Sequence, residues 1–114
     1  MATLESVREG VATAVAWLDE VDPDTRRKIP DRSISAWISD LDVAFAGRFE
    51  SGTLVEVREI DPATRAEHHL RLVMDSDTFV EVVYGDTSFA HGWARGRIHV
   101  DARLRDLFEL RRFL

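Results

Sequence analysis

The 114-residue sequence contains no cysteine. A disulfide framework, a thiolate nucleophile and a cysteine-based metal site are therefore excluded. The absence of cysteine also fits a reducing compartment. Long hydrophobic runs are lacking as well, since no stretch approaches the ~20 apolar residues that a membrane span needs. The N-terminal residues show no basic region followed by an apolar run, so we expect no signal peptide and a cytoplasmic protein.

Positive charge is scarce over most of the chain. The net charge of −6 argues against nucleic acid as a main partner. Residues 1–94 carry 9 Lys/Arg against 18 Asp/Glu, whereas residues 95–114 carry 6 Arg against 3 acids. Two interpretations of this basic C-terminal segment stay open. It could make transient contact with anionic lipid head groups at a membrane surface, or its arginines could complement the dipole of a last helix.

The length predicts one domain over residues 1–114, with a single two-layer core. Apolar residues recur at i, i+3 and i+4 from Leu4 to Val21, which predicts a helix with Thr3 as its N-cap. Asp22-Pro23 should end that helix, because the residue before proline avoids the helical region. A short helical turn over Pro23–Lys28 is expected next.

The apolar period then changes to two, which predicts strands. In the first of them, Ile34, Ala36 and Ile38 alternate with Ser33, Ser35, Trp37 and Ser39 and so lie on one face. Four strands are expected between Asp31 and Met74, the last of them from Glu67 to Met74, with Asp61–Thr64 as a turn. Two short helices should follow, the first capped from within Asp75-Ser76-Asp77 and the second by Thr87 or Ser88. A fifth strand over Arg97–Val100 and a closing helix capped by Asp101 complete the order. We predict an α+β fold, in which a five-stranded, mostly antiparallel sheet is covered by helices.

Reactive clusters are missing from this pattern. Four histidines are present, but no pair has the spacing of a metal motif, so no metal and no cofactor is expected. Ser33, Ser35 and Ser39 lie on a predicted strand without a nucleophile elbow. The glycines do not form a phosphate-binding loop. We therefore expect a protein that is not an enzyme, with His91 as the one histidine suited either to an anionic head group or to a half-buried structural role.

The C-terminal half resembles the sterol carrier protein 2-like lipid-binding domains. The resemblance is carried by Val73-Met74-Asp75-Ser76-Asp77-Thr78-Phe79, by Gly85, and by Gly96-Arg97-Ile98-His99-Val100. The opening Asp31-Arg32-Ser33-Ile34-Ser35 is similar to a compact bacterial subgroup of that family. The resemblance implies binding of a sterol, fatty acid, acyl-CoA or phospholipid in an apolar pocket between sheet and helices, and it leaves open whether the lipid is also transferred.

The pocket candidates are the apolar residues of the elements expected to enclose such a ligand. They are Phe45, Phe79, Val82, Val83, Phe89, Trp93, Leu104, Leu107 and Phe108. These side chains could equally pack on one another as an ordinary core. Trp93 is a candidate gate, because its indole N–H could meet a head group. An alternative function is an accessory or oligomerisation module for an enzyme of lipid or thiol metabolism, with the Ser/Trp face of residues 33–39 as the interface, for example in a homodimer.

Overall fold

The computed structural model of the chain describes residues 1–103. Its elements, in chain order, are α1 (Leu4–Asp19), α2 (Pro23–Arg26), β1 (Ser33–Ile38), β2 (Val43–Glu50), β3 (Thr53–Ile60), a 3-10 helix (Pro62–Glu67), β4 (Leu70–Met74), α3 (Ser76–Val83), α4 (Phe89–Ala94) and β5 (His99–Asp101). The predicted closing helix lies outside the described residues. Among residues 1–103, every helix is too short or too polar to cross a membrane.

The five strands form one sheet in the order β3-β2-β1-β4-β5. Neighbouring strands run antiparallel except β1 and β4, which pair in parallel. The prediction of an α+β fold with a five-stranded, mostly antiparallel sheet is confirmed.

Local capping signals determine where the helices begin. Thr3, Asp75 and Ser88 each accept a hydrogen bond from the backbone N–H three residues later, as expected of N-cap side chains. Helix α1 ends at Asp19, two residues before the predicted end, because the chain turns there toward α2, which begins at Pro23.

The predicted strand over Glu67–Met74 is wrong at its start. The chain forms a 3-10 helix over Pro62–Glu67, capped by the Asp61 carboxylate, which accepts a hydrogen bond from the backbone N–H of Ala63. Strand β4 begins only at Leu70. The 3-10 helix covers one side of the sheet, which we call the outer face.

The outer face includes the Ser/Trp surface that the sequence offered as an interface. Ser35 is 1% exposed and donates a hydrogen bond to the carbonyl oxygen of Arg65 in the 3-10 helix, at 3.0 Å. The Arg65 guanidinium lies 4.0 Å from the centre of the Trp37 ring, a cation–π contact. The Trp37 indole N–H donates to Asp42 at 3.1 Å. The chain's own residues therefore occupy much of this surface.

The opposite side of the sheet, which we call the inner face, packs against helices. Within residues 1–103, the buried residues of its core are Val7, Ile38, Phe45, Met74 and Ile98. Helix α1 approaches α3 closely at Gly10, where an added Cβ atom would lie 2.8 Å from the Phe79 ring. The apolar layer between the inner face and helices α1, α3 and α4 is the place where a pocket was predicted.

Candidate functional site

The inner face presents apolar side chains in rows that cross the three central strands. The pairing register places each β1 residue from Ile34 to Ile38 between one residue of β2 and one of β4. The first row contains Val43, Ile38 and Met74; the second row contains Phe45, Ala36 and Leu72; the third row contains Gly47, Ile34 and Leu70. All three rows face the helices, because side chains alternate between the two faces of a strand.

The β1 residue of the first row is more deeply buried than the β1 residues of the other two rows. In the first row, Ile38 is fully buried. In the second and third rows, Ala36 and Ile34 are only half-buried. On the outer face, by contrast, Ala44 and Ala46 are 0% and 4% exposed. Solvent therefore reaches the middle of the inner face, although helices pack on this side of the sheet.

The accessible region is deepest at Ala36, because this small side chain lies between the large side chains of Phe45 and Leu72. Beside it, Gly47 does not add further depth, because an added Cβ atom there would lie 3.0 Å from Leu54 Cδ1 and 3.3 Å from Val57 Cγ2. A β-bulge at Glu56, with φ of 56°, turns both of these β3 side chains toward the inner face. Leu54 and Val57 thus form one edge of the region.

Helix α1 forms a wall along the same edge. Arg8 near its start pairs with Glu59 near the end of β3 at 3.1 Å. Beyond the helix, the carbonyl oxygen of Arg26 lies against Gly52, in the turn just before β3. Helix α1 and the short α2 therefore run back along β3. Val11 packs against the buried core, and half-buried Val15 and Leu18 follow it at helical spacing.

The predicted pocket residues occupy different positions. Phe45 is 9% exposed and belongs to the buried core, whereas Phe79, Val82 and Phe89 are partly buried and pack against that core. Val83 is half-buried at the end of α3. Leu104, Leu107 and Phe108 lie outside the described residues. The structure thus brings four of the nine candidates to the core cluster, of which only Phe45 belongs to the second row.

Trp93 is half-buried and contacts Phe89 edge to face, with ring centres 6.0 Å apart. His91, on the same short helix, is exposed. Neither residue lies in the three rows of the inner face. The suggested contacts of Trp93 and His91 with a ligand head group stay predictions.

Polar groups meet at the end of the inner face where the first row lies. The Asp40 carboxylate, just after β1, accepts hydrogen bonds from the backbone N–H of Ser76 at 2.8 Å and from its hydroxyl at 2.7 Å. Ser76 is fully buried, and its hydroxyl oxygen accepts from the backbone N–H of Ala2 at 2.9 Å. Slight desolvation at the surface raises the pKa of Asp40, but the hydrogen bonds from Ser76 outweigh it and hold the pKa below its usual value. This network closes that end with structural contacts.

Residues 1–103 give no support for a metal site. No group of three or more His, Asp or Glu side chains within residues 1–103 could hold a metal ion. His68, near the outer face, has its pKa lowered by burial and by the Arg58 cation, which favours the neutral ring. The accessible inner face is lined instead by aliphatic and aromatic side chains.

Three central residues of the accessible region were absent from the sequence-based candidates: Ile34, Ala36 and Leu72. The period of two did place Ile34 and Ala36 on the same side of β1. It could not reveal that they stay accessible, since accessibility depends on how completely distant helices cover the strand.

Comparisons with known proteins come from solved structures alone, because no protein-family model and no curated protein matches the sequence. The sterol carrier protein 2 of Aedes aegypti, in complex with palmitate, is 20% identical with a TM-score of 0.62, over 99% of this chain and 96% of that one. A crystal structure of sterol carrier protein 2 is 13% identical with a TM-score of 0.67, over 94% of this chain and 85% of that one.

Part of a larger enzyme has a similar structure. The sec-alkylsulfatase Pisa1 from a Pseudomonas species is 13% identical with a TM-score of 0.56, over 81% of this chain. The match spans only 14% of the sulfatase chain. Since the likeness to the sterol carrier protein structures covers nearly all of this chain, the described structure has the fold of sterol carrier protein 2.

Proposed function

We propose that the protein binds a lipid in the apolar layer between the inner face of the sheet and the helices, without catalysing a reaction. The observation that carries the proposal is the accessibility of Ala36 and Ile34 on the central strand, under a layer of helices. A filled core would bury such residues, because protein interiors pack without large gaps. An apolar, accessible groove at this position suits an alkyl chain.

The hydrophobic effect alone can provide enough binding free energy for an apolar ligand, so the site does not need a set of specific polar contacts. Each methylene group moved from water into an apolar site contributes about 0.8 kcal/mol. The palmitate bound by the Aedes aegypti protein is an apolar-chain ligand of this kind, held by a protein of the same fold. The sequence composition further favours a cytoplasmic location for such a protein.

Replacing Ala36 with leucine tests whether the groove is open. The added carbons would occupy space that the ligand needs, so we expect the affinity for a fatty acid to fall roughly 60-fold, as the loss of three methylene contacts of about 0.8 kcal/mol each implies. The melting temperature should change little, because an open groove accommodates the larger side chain. Displacement of a fluorescent fatty acid by unlabelled fatty acids measures the affinity, and circular dichroism measures the melting temperature.

Ala46→Leu provides the matched control. Ala46 pairs with Ser35 of β1 on the outer face and is 4% exposed, so the same enlargement there should destabilise the fold by about 1–3 kcal/mol. The fatty acid affinity of the folded control should match that of the parent. If Ala36→Leu were as destabilising as the control, the inner face would be a filled core. A parent protein that bound no probe, and carried no lipid in native mass spectrometry, would also refute the proposal.

A second candidate function is an accessory module beside an enzyme. The likeness to a small part of the sec-alkylsulfatase favours it, because that protein carries a region of this fold within a much longer chain. Light scattering of the purified protein separates the two functions. A monomer that binds the probe supports lipid binding, whereas a stable dimer that binds no probe supports the accessory role.

A further inference from the structure

The accessible groove of the inner face is closed at one end. Ile38 and Met74 of the first row are 0% and 6% exposed. Ile98, just before β5, is 1% exposed, Val7 of α1 is 0% exposed, and both belong to the same buried cluster. These side chains form a continuous apolar block across the ends of β1 and β4.

The opposite end of the groove is less covered. Phe49 and Leu54, which pair next to the β2–β3 turn, are both half-buried. Phe49 lies four positions after Phe45 of the second row on β2. With about 3.3 Å per residue, the apolar path from the second row, which lies next to the block, to the turn is about 13 Å long.

The groove is also narrow. Ala36 lies between Phe45 and Leu72 on the two neighbouring strands. Adjacent strands are about 4.8 Å apart, so the backbones that carry these two large side chains are about 10 Å apart. The space over Ala36 therefore matches the width of one alkyl chain better than that of a fused ring system.

We propose, on the basis of the lipid-binding function above, that the groove takes one acyl chain with its methyl end against Ile38 and Met74. This block then acts as a chain-length stop. An extended chain advances about 1.3 Å per carbon, given a C–C bond of about 1.5 Å, so the enclosed path holds about ten carbons. Ile38 and Met74 are specificity-determining residues, and the ligand class is a single-chain lipid whose enclosed part has medium length.

A chain-length series of saturated fatty acids tests the stop. For the parent protein, each added carbon should improve the affinity about fourfold until the chain has about ten to twelve carbons, after which the gain per carbon should disappear. Met74→Ala removes three heavy atoms from the block, so the affinity should continue to rise with chain length for about three more carbons than in the parent. Displacement of the same fluorescent fatty acid measures all the affinities.

Leu70→Ala is the matched control for this variant. Leu70 lies on the same strand and the same face, is 8% exposed against 6% for Met74, and also loses three heavy atoms. Leu70 lies in the third row, away from the block. In Leu70→Ala, the affinity should therefore stop rising at the same fatty acid chain length as in the parent. An equal shift in both variants, or none in Met74→Ala, would overturn the stop.

Two further measurements separate the possible failures. Ile38→Val removes one methyl group from the block and is a mild change, so if Met74→Ala does not fold, this variant should still show a shift of about one carbon. A sterol that displaces the probe as well as the best fatty acid would overturn the single-chain assignment while leaving lipid binding intact. If no fatty acid of any length displaced the probe from the parent, the proposed function itself would fail.

Discussion

Replacing Gly52 with alanine is expected to lower the free energy of unfolding by about 3–4 kcal/mol. Gly52 has a φ of +81°, which costs a residue with a Cβ atom about 1–2 kcal/mol. The new Cβ atom would also lie 2.1 Å from the carbonyl oxygen of Arg26, a backbone atom that cannot rotate away. The turn between β2 and β3 and the segment around α2 would have to separate.

Thermal unfolding followed by circular dichroism measures this effect. At about 4 °C per kcal/mol for a domain of this size, the melting temperature should fall by about 15 °C. Gly85→Ala is the control, because Gly85 has a similar φ of +83° but no atom of residues 1–103 lies within 4 Å of an added Cβ. It should cost only about 1 kcal/mol. Equal losses in the two variants would mean that the contact with Arg26 contributes nothing.

Helix starts were predictable from the sequence because a cap acts over three residues. Thr3 and Asp75 each hold a backbone N–H of their own first turn, and no distant residue is needed to form that bond. The alternation of β1 likewise assigned Ile34 and Ala36 to one face, since side-chain direction along a strand is a local property.

The 3-10 helix was missed although a local signal for it exists. Asp61 followed by Pro62 is both a cap and a favoured first helical residue, but the same pair also begins turns. The alternation that follows then suggested a strand from Glu67. The contact of Arg65 with Trp37, which lies 28 residues earlier, accompanies the helical form, and no local pattern reports such a contact.

The groove could not be predicted for a related reason. Phe45 and Ala36 are neighbours in one row, yet the larger side chain is buried and the smaller one is partly exposed. Apolar residue type therefore did not identify the accessible positions. What determines them is the place where α1 and the short α3 lie relative to the sheet, which depends on contacts between segments far apart in sequence.

The second large effect is expected at Asp40, which joins the end of β1 to the start of α3. Asp40→Ala should lower the free energy of unfolding by about 2–3 kcal/mol at neutral pH, because it leaves the backbone N–H and the hydroxyl of fully buried Ser76 without their acceptor. The melting temperature should fall by about 10 °C. Chemical denaturation at several pH values measures the free energy directly.

The pH dependence distinguishes this network from simple packing. Because the pKa of Asp40 is lower in the folded protein than its usual value of 3.8, the carboxylate stabilises the fold at pH values above that, and the stabilisation is lost as the pH falls through the folded pKa. The difference between the parent and Asp40→Ala should therefore shrink below about pH 4. Asp40→Asn keeps an acceptor for the Ser76 N–H and should cost less than alanine at neutral pH, with a smaller acid-dependent change than the parent. A parent–alanine difference that stayed constant down to pH values well below the folded pKa would show that Asp40 acts through its shape and not through its charge.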